Sequence, residues 1–82
     1  MSELVLYTRV GCHLCEDAEA VLRRLRAERP FELRLVDIDR DPELADRYGV
    51  RVPVVAVDGV EHFEYEVPAD QLVALLDGDV RR

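Results

Sequence analysis

The sequence predicts a small α/β domain, in which a four-stranded mixed sheet is flanked by helices. Strand-like apolar runs alternate with segments of helical periodicity in the order β-α-β-α-β-β-α. The first two strands enclose a helix, and because such crossovers are right-handed we expect these strands to be parallel. The Asp58-Gly59 dipeptide predicts a tight hairpin between the last two strands, which are therefore antiparallel.

The first half of the chain contains the crossover unit. Leu4–Thr8 is predicted to be a short buried strand. From Cys12 to about Glu28, apolar residues recur with helical spacing. Acidic residues lie near the start of this segment and arginines near its end, as the helix dipole favours. Pro30 ends the helix, and Phe31–Ile38 alternates as the second strand.

The next helix is short and has clear signals at both ends. Asp41 is the expected N-cap, and Pro42 suits the first helical position. Gly49 is expected to end the helix after about Tyr48.

A hairpin and a last helix complete the predicted domain. Pro53 opens the third strand, Val54–Val57, and Val60–Tyr65 returns as the fourth. Pro68 introduces the last helix, which Gly78 closes. We expect helices on both faces of the sheet and a single domain over residues 1–82.

Composition and charge narrow the classes of function. Hydrophobic residues make up 49% of the 82 residues, enough for one small core. The net charge of −7 argues against nucleic acid or an anionic membrane as a partner. We expect a cytoplasmic location, because the N-terminal apolar run is too short for a signal peptide or a membrane span. The lack of tryptophan and of a long apolar edge favours a monomer.

Two cysteines at the junction of the first strand and the first helix are the most informative feature. Cys12 and Cys15 are the only cysteines in the chain. A thiol is a useful nucleophile only as its thiolate, which the unpaired N–H groups of a first helical turn stabilise. The second thiol, one turn later, lies close enough to form a disulfide. In the cytosol such a pair is more typical of catalysis or metal binding than of a structural disulfide.

Five segments spread along nearly the whole chain match one known pattern. They are Leu6–Arg9, Gly11–Cys15, Val36–Asp39, Asp41–Leu44 and Tyr48–Val54. A CxxC motif after the first strand, with Val-Pro-Val opening a later strand, is typical of the thioredoxin superfamily. Within it, the chain most closely resembles the small glutaredoxin-like proteins. The resemblance implies a thioredoxin-like fold and dithiol–disulfide oxidoreductase activity.

The resemblance also implies roles for four residues. In the family the first cysteine attacks a substrate disulfide and the second resolves the mixed disulfide, which makes Cys12 the nucleophile and Cys15 the resolving thiol. The family proline at this strand is cis, which implies a cis Pro53 and a Val52 backbone free to pair with an extended substrate. The implied substrates are disulfides of proteins or small molecules. No bound cofactor is required, and the electrons come from glutathione or from a reductase protein such as thioredoxin reductase.

Two departures from the glutaredoxin pattern leave the electron donor open. The dipeptide between the cysteines is His13-Leu14, whereas glutaredoxins usually have Pro-Tyr. The Gly-Gly element that helps glutaredoxins bind glutathione is missing, since residues Phe63–Pro68 contain no glycine. Glu64 and Glu66 would instead repel the carboxylates of glutathione.

Three further residues near the motif are candidates for the substrate site. Arg9 could favour the Cys12 thiolate or bind a substrate carboxylate, or it could be a solvated surface charge. His13 could tune the thiols or be an exposed helix residue without a role. Arg51, close to Pro53, could line the substrate groove or lie on the surface.

The remaining candidates include residues for which a purely structural role is favoured. Asp37 or Asp39 could move a proton to or from Cys15, but turn or capping roles are favoured. Tyr7 is expected in the core. The stretch Glu64–Glu66 could form an acidic rim that faces a partner.

A second class of function is a binding module with little turnover, either redox-responsive or holding a metal as zinc or an iron–sulfur cluster. Zinc takes about four ligands, and only His13 and His62 could join the two cysteines. His13 lies inside the CxxC motif, where it cannot readily reach a metal held by both sulfurs. We therefore expect no bound metal.

Overall fold

The computed structural model describes residues 2–77 and contains the predicted elements in the predicted order. They are β1 (Glu3–Thr8), α1 (His13–Glu28), β2 (Glu32–Asp37), α2 (Pro42–Tyr48), β3 (Val54–Val57), β4 (Val60–Glu64) and α3 (Ala69–Leu76). A 3-10 turn at Ile38–Arg40 joins β2 to α2. Gly78, the predicted end of the last helix, lies outside the described residues. Within those residues, no helix is both long and apolar enough to span a membrane.

The sheet has the strand order β2-β1-β3-β4. β1 and β2 are parallel, whereas β1–β3 and β3–β4 are antiparallel. This arrangement confirms the mixed four-stranded sheet. It also places the carboxyl end of β1, which leads into the cysteines, near the middle of the sheet, where ligands commonly bind in α/β proteins.

The larger core lies between one face of the sheet and the helices α1 and α3. Leu4 and Leu6 of β1 point to this face and are fully buried. Their partners across the β1–β3 pair, Val57 and Val55, are buried beside them. Leu22 of α1 and Leu72 of α3 close the same cluster from above. The helical periodicity of α1 therefore packs one apolar side on the sheet and leaves its charged side in water.

The smaller core lies on the opposite face, beneath the cysteines. Ile38, Tyr48, Val52 and Val54 are buried together with Cys15. The rings of Tyr7 and Tyr48 stack with centroids 4.3 Å apart. The prediction that Tyr7 belongs to the core is confirmed, because its ring packs against this cluster.

The β3–β4 hairpin contains a bulge that changes the face to which its side chains point. Asp58 and Gly59 both have positive φ angles, 51° and 88°, as a tight two-residue hairpin turn requires. Further along, Ala56 pairs with Glu61 but Val55 pairs with Phe63. His62 is therefore the extra residue of a β-bulge.

This bulge brings two carboxylates to one face of the hairpin. Glu61 and Glu64 lie opposite Ala56 and Val54, which are two residues apart and so point the same way. Without the extra residue, positions three apart on a strand would point to opposite faces. Phe63 is left to pack against the larger core.

Candidate active site

Cys12 is the N-cap of α1. Its backbone is extended, and its Sγ accepts a hydrogen bond from the N–H of Cys15 over 3.1 Å. The sulfur thus takes the place that a Ser or Asp oxygen usually occupies at a helix start. An amide N–H aimed at sulfur stabilises negative charge there, as does the helix dipole. Gly11, with φ of 84°, turns the chain into this position, and a side chain would strain that conformation.

The second thiol has different surroundings. Cys15 is only 2% exposed, whereas Cys12 is partly exposed, so Cys12 is the sulfur that a substrate can reach. Burial raises the pKa of Cys15, and its hydrogen bond with Cys12 raises it further. Hydrogen bonds from the Thr8 side chain and the Arg9 backbone act in the opposite direction. Cys15 therefore remains a protonated thiol at neutral pH but has donors in place for its thiolate.

Arg9 links three segments around the site. Its Nε and Nη2 donate to the two carboxylate oxygens of Asp39, over 3.1 and 2.7 Å, and its Nη1 donates to the Gly49 carbonyl over 3.0 Å. The Asp39 carboxylate raises the pKa of Arg9, and Arg9 in turn lowers the pKa of Asp39. Ionised Cys12 or Cys15 would raise the pKa of Arg9 further, so the guanidinium lies within electrostatic reach of both sulfurs.

The two acidic residues at the end of β2 have structural partners. Asp37 accepts the N–H of Asp39 over 3.0 Å and caps the 3-10 turn. Asp39 is held by Arg9. The favoured prediction of a turn or capping role is confirmed for Asp37, whereas the Asp39 carboxylate forms an ion pair with Arg9 instead.

His13 occupies the first position of α1 and points into solvent. Its side chain is 95% exposed, and its nearest charged partner is Glu16, with Nδ1 3.6 Å from Oε1. The ring is therefore on the surface that surrounds Cys12, where an incoming substrate would meet it.

The loop before β3 lies beside the cysteines. The Val52–Pro53 peptide bond is cis. The N–H of Val52 donates to the Tyr48 carbonyl over 3.1 Å, and the Pro53 carbonyl accepts the N–H of Tyr65 over 2.9 Å. The expectation that the whole Val52 backbone is free for a substrate strand is therefore wrong in part. The last turn of α2 has unpaired carbonyls, and one of them already takes this amide.

Arg51 is fixed against β4. Its Nη1 donates to Glu61 over 3.2 Å and to Glu64 over 3.0 Å, and its guanidinium lies 5.1 Å from the Tyr48 ring centroid. Tyr48 donates to Glu61 over 2.9 Å. Burial raises the pKa of Tyr48, and the Tyr48 hydroxyl lowers the pKa of Glu61. Glu64, expected in an acidic rim, is therefore offset by Arg51.

A groove runs from the CxxC motif between α1 and the segment that joins β4 to α3. Its lining residues are Leu14, Asp17, Ala18, Val21, Tyr65, Glu66 and Val67. Leu14 and Tyr65 are about half exposed, at 49% and 46%. Sequence reasoning placed Glu66 near a partner surface but missed Asp17, because it read the acidic start of α1 only as a helix-dipole effect.

Tyr65 has an unusual backbone. Its φ of 70° lies in the left-handed region, where bulky residues are rare. Glutaredoxins usually have their Gly-Gly element near this place, and glycine adopts such angles without strain. The turn at Tyr65 thus has a backbone angle that favours glycine, although a large aromatic residue occupies the position.

The cysteines do not form part of a larger set of metal ligands in the described part of the chain. Within residues 2–77, no three His, Cys, Asp or Glu side chains converge as a metal would require. His13 faces solvent and His62 lies exposed on β4. The donors among residues 2–77 of one chain therefore do not form a tetrahedral metal centre.

The chain is similar to several known proteins. The family described as Glutaredoxin-like domain (DUF836) matches residues 3–77. Uncharacterized protein Rv0508 of Mycobacterium tuberculosis is 35% identical over 77 residues, 88% of this chain and 79% of the relative. Among solved structures, protein Ne2328 of Nitrosomonas europaea is 38% identical with a TM-score of 0.77, over 90% of this chain and 89% of its own. A mutant thioredoxin from Halobacterium salinarum is 27% identical with a TM-score of 0.70, over 94% and 73%.

Proposed function

The chain belongs to the glutaredoxin-like (DUF836) family, and from its site we propose that it is a dithiol–disulfide oxidoreductase. One observation carries the proposal. A partly exposed Cys12 sulfur accepts a helical N–H, and a buried Cys15 thiol lies beside it. A pair with one accessible and one protected thiol is suited to attack followed by internal resolution.

In the first step, the Cys12 thiolate attacks one sulfur of a substrate disulfide. The substrate S–S bond breaks, a mixed disulfide with Cys12 forms, and the other substrate sulfur leaves as a thiolate that takes up a proton. The N–H of Cys15 and the start of α1 stabilise Cys12 before the attack. The raised pKa of Cys15 keeps the second thiol protonated at this stage.

In the second step, Cys15 loses its proton and attacks the Cys12 sulfur. A Cys12–Cys15 disulfide forms, and the second substrate sulfur leaves as a thiol after protonation, so two electrons have passed to the substrate. Thr8 and the Arg9 backbone, whose hydrogen bonds lower the pKa of Cys15, support the thiolate as it forms. Glutathione or a reductase protein then returns two electrons to the pair.

Two serine variants test this division of labour. Cys12→Ser should abolish the reduction of a peptide disulfide, because no accessible thiol remains. Cys15→Ser should stop at the mixed disulfide, which intact-mass spectrometry would detect as an adduct on Cys12. Full activity of Cys12→Ser would refute the mechanism. Glu28→Gln, at the far end of α1, is the control and should react like the wild type.

A further inference from the structure

The groove beside the CxxC motif has an apolar floor. Ala18, Val21 and Val67 contribute the floor, and Leu14 and Tyr65 stand half exposed at its edges. Leu14 belongs to the CxxC motif and also lines the groove, so the groove adjoins the motif. A substrate bound at Cys12 is therefore within reach of this groove.

Two further apolar side chains are exposed in the segments that carry the site. Val10 and Val50 are almost fully exposed, one just before the Gly11-Cys12 turn and the other two residues before Val52, which packs in the same cluster as Cys12. Exposed aliphatic groups in these two segments favour a polypeptide segment over a highly charged small molecule.

Two carboxylates, those of Asp17 and Glu66, line the groove. Among residues 2–77, no arginine lines the groove, and no arginine or histidine nitrogen lies within 4 Å of either carboxylate. Glu64, immediately before the groove, is by contrast paired with Arg51. In the described part of the chain, the groove beside the CxxC motif therefore has two negative charges without a basic partner, on apolar walls that strengthen their field.

Tyr65 supports a recognition role for this groove. The residue keeps a bulky ring in a left-handed conformation that glycine would adopt without cost. Its N–H donates to the Pro53 carbonyl over 2.9 Å, so the backbone of Tyr65 is fixed to the loop before β3, while its side chain lines the groove. Strained backbone that persists at the edge of a reactive site is commonly associated with ligand contacts.

We propose that this groove selects disulfides by charge, favouring polypeptide disulfides flanked by basic and apolar residues over anionic disulfides such as oxidised glutathione. The inference rests on the proposed oxidoreductase function and deepens it. A lysine or arginine of the substrate pairs with Asp17 and Glu66, while its apolar neighbours cover Leu14 and Tyr65. Glutathione carries net negative charge, so the same carboxylates repel it.

The test compares two peptide disulfides of equal length, one with lysines beside its cysteine and one with glutamates. At low ionic strength, kcat/KM of the wild type should favour the lysine peptide by roughly tenfold, since two charge contacts change sign. High salt should shrink the difference, because exposed charges are screened. The double variant Asp17→Asn, Glu66→Gln should lower the ratio to about twofold or less.

Matched control variants separate the groove from the overall charge. Asp46→Asn on α2 and Glu32→Gln at the start of β2 remove the same two charges elsewhere and should keep the wild-type preference. Equal rates for both peptides in the wild type would overturn charge selection but leave the oxidoreductase proposal intact. So would a preference that survives the Asp17, Glu66 double variant. If the wild type reduces neither peptide nor any other disulfide, the proposed function fails, and this inference fails with it.

Discussion

At the scale of single residues, the two thiols of the pair differ in their exposure to solvent, because the start of α1 turns one outward and the other into the core. Cys12 is at the solvent-facing start of α1, whereas Cys15, one turn later, has rotated into the smaller core. Burial of a thiol disfavours its charged form, and the pKa of Cys15 is accordingly raised. Only two residues, His13 and Leu14, thus separate an accessible nucleophile from a protected resolving thiol.

The raised pKa of Cys15 predicts a pH-dependent stability. Its folded-state pKa exceeds the ordinary value of 9.0, so the unfolded state ionises first. The stabilisation is fully present below the unfolded pKa and is lost as pH rises through the folded pKa. The reduced wild type should therefore lose more free energy of unfolding between about pH 7.5 and about pH 10.5 than Cys15→Ala does. Urea unfolding under anaerobic, reducing conditions measures the difference.

The same comparison contains its control. Tyr48 also has a raised pKa and would add a similar loss at high pH, but it is present in both proteins. Parallel pH profiles for wild type and Cys15→Ala would show that Cys15 has no part in the effect.

The backbone of Tyr65 predicts an unusual order of stabilities. A left-handed conformation costs a residue with a Cβ about 1–2 kcal/mol, and glycine avoids this cost. Glycine also has more conformational freedom in the unfolded chain, which cancels part of the gain in stability. Tyr65→Gly should therefore be more stable than Tyr65→Ala by about 1 kcal/mol or slightly less. Chemical denaturation of both variants measures this directly.

Val60 provides the matched pair for that experiment. Val60 is exposed like Tyr65, but it lies within β4 and has an ordinary strand backbone, whereas Tyr65 directly follows that strand. Val60→Gly should be less stable than Val60→Ala, because glycine weakens a strand. If Tyr65→Gly were also less stable than Tyr65→Ala, the strained conformation would not exist in solution.

At the scale of elements, one guanidinium holds together the segments that shape the site. Arg9 follows β1 and bonds both Asp39 in the 3-10 turn and Gly49 at the end of α2. No sequence pattern predicts this contact, because its partners lie 30 and 40 residues away. The sequence suggested an interaction with the thiols or a substrate, and the structure shows that three donors are already used within the protein.

A double-mutant cycle tests whether Arg9 and Asp39 act as one unit. The losses of unfolding free energy in Arg9→Met and Asp39→Asn should sum to more than the loss in the double variant, since both remove the same hydrogen bonds. Arg9→Lys should recover little, because an ammonium cannot span two carboxylate oxygens and a carbonyl. The exposed Glu19–Arg23 pair of α1, at 2.8 Å, is the control.

For that control pair we expect a coupling energy of only about 0.3–0.5 kcal/mol, as for other exposed helical pairs. Coupling between Arg9 and Asp39 no larger than this would contradict the role assigned to Arg9. Thermal unfolding of the seven proteins, the wild type and the three variants of each pair, gives both cycles under one set of conditions.

The elements themselves were predictable because their end signals are local. Asp41 and Pro42 begin α2 as predicted, and Asp58-Gly59 makes the tight turn. The bulge at His62 was not predictable, because an extra residue becomes visible only once two strands are paired. The bulge places the Glu64 side chain on the face of the hairpin where Arg51 donates a hydrogen bond to it.

At the scale of the whole molecule, the candidate site could be located from the sequence, but the pairing of the charges around it could not. The order of strands and helices brings the cysteines to the middle of the sheet edge, as the fold class requires. Among residues 2–77, which acidic residues lack a basic partner depends on distant contacts: Arg51 pairs with Glu64, whereas Asp17 and Glu66 line the groove without an arginine or histidine nearby. Net charge alone does not distinguish these cases.

The last prediction concerns the electron donor, and its sign follows from the charge of the molecule. The protein carries −7 overall, and Asp17 and Glu66 add to the negative field next to the thiols. Encounter with anionic glutathione is therefore opposed by like charge, and raising the salt concentration should speed it up. The NADPH-coupled rate with glutathione and glutathione reductase should rise between about 0.02 M and about 0.5 M salt.

With thioredoxin reductase as the electron donor, the protein–protein contact, rather than the charge of glutathione, governs the encounter. The NADPH-coupled rate with this reductase should therefore exceed the rate with glutathione at low salt. The Asp17→Asn, Glu66→Gln variant should raise the low-salt glutathione rate severalfold and flatten its salt dependence. The controls Asp46→Asn and Glu32→Gln should not. If the rate with glutathione fell as salt was added to the wild type, glutathione would be attracted to the site. That result would refute the repulsion assigned to Asp17 and Glu66.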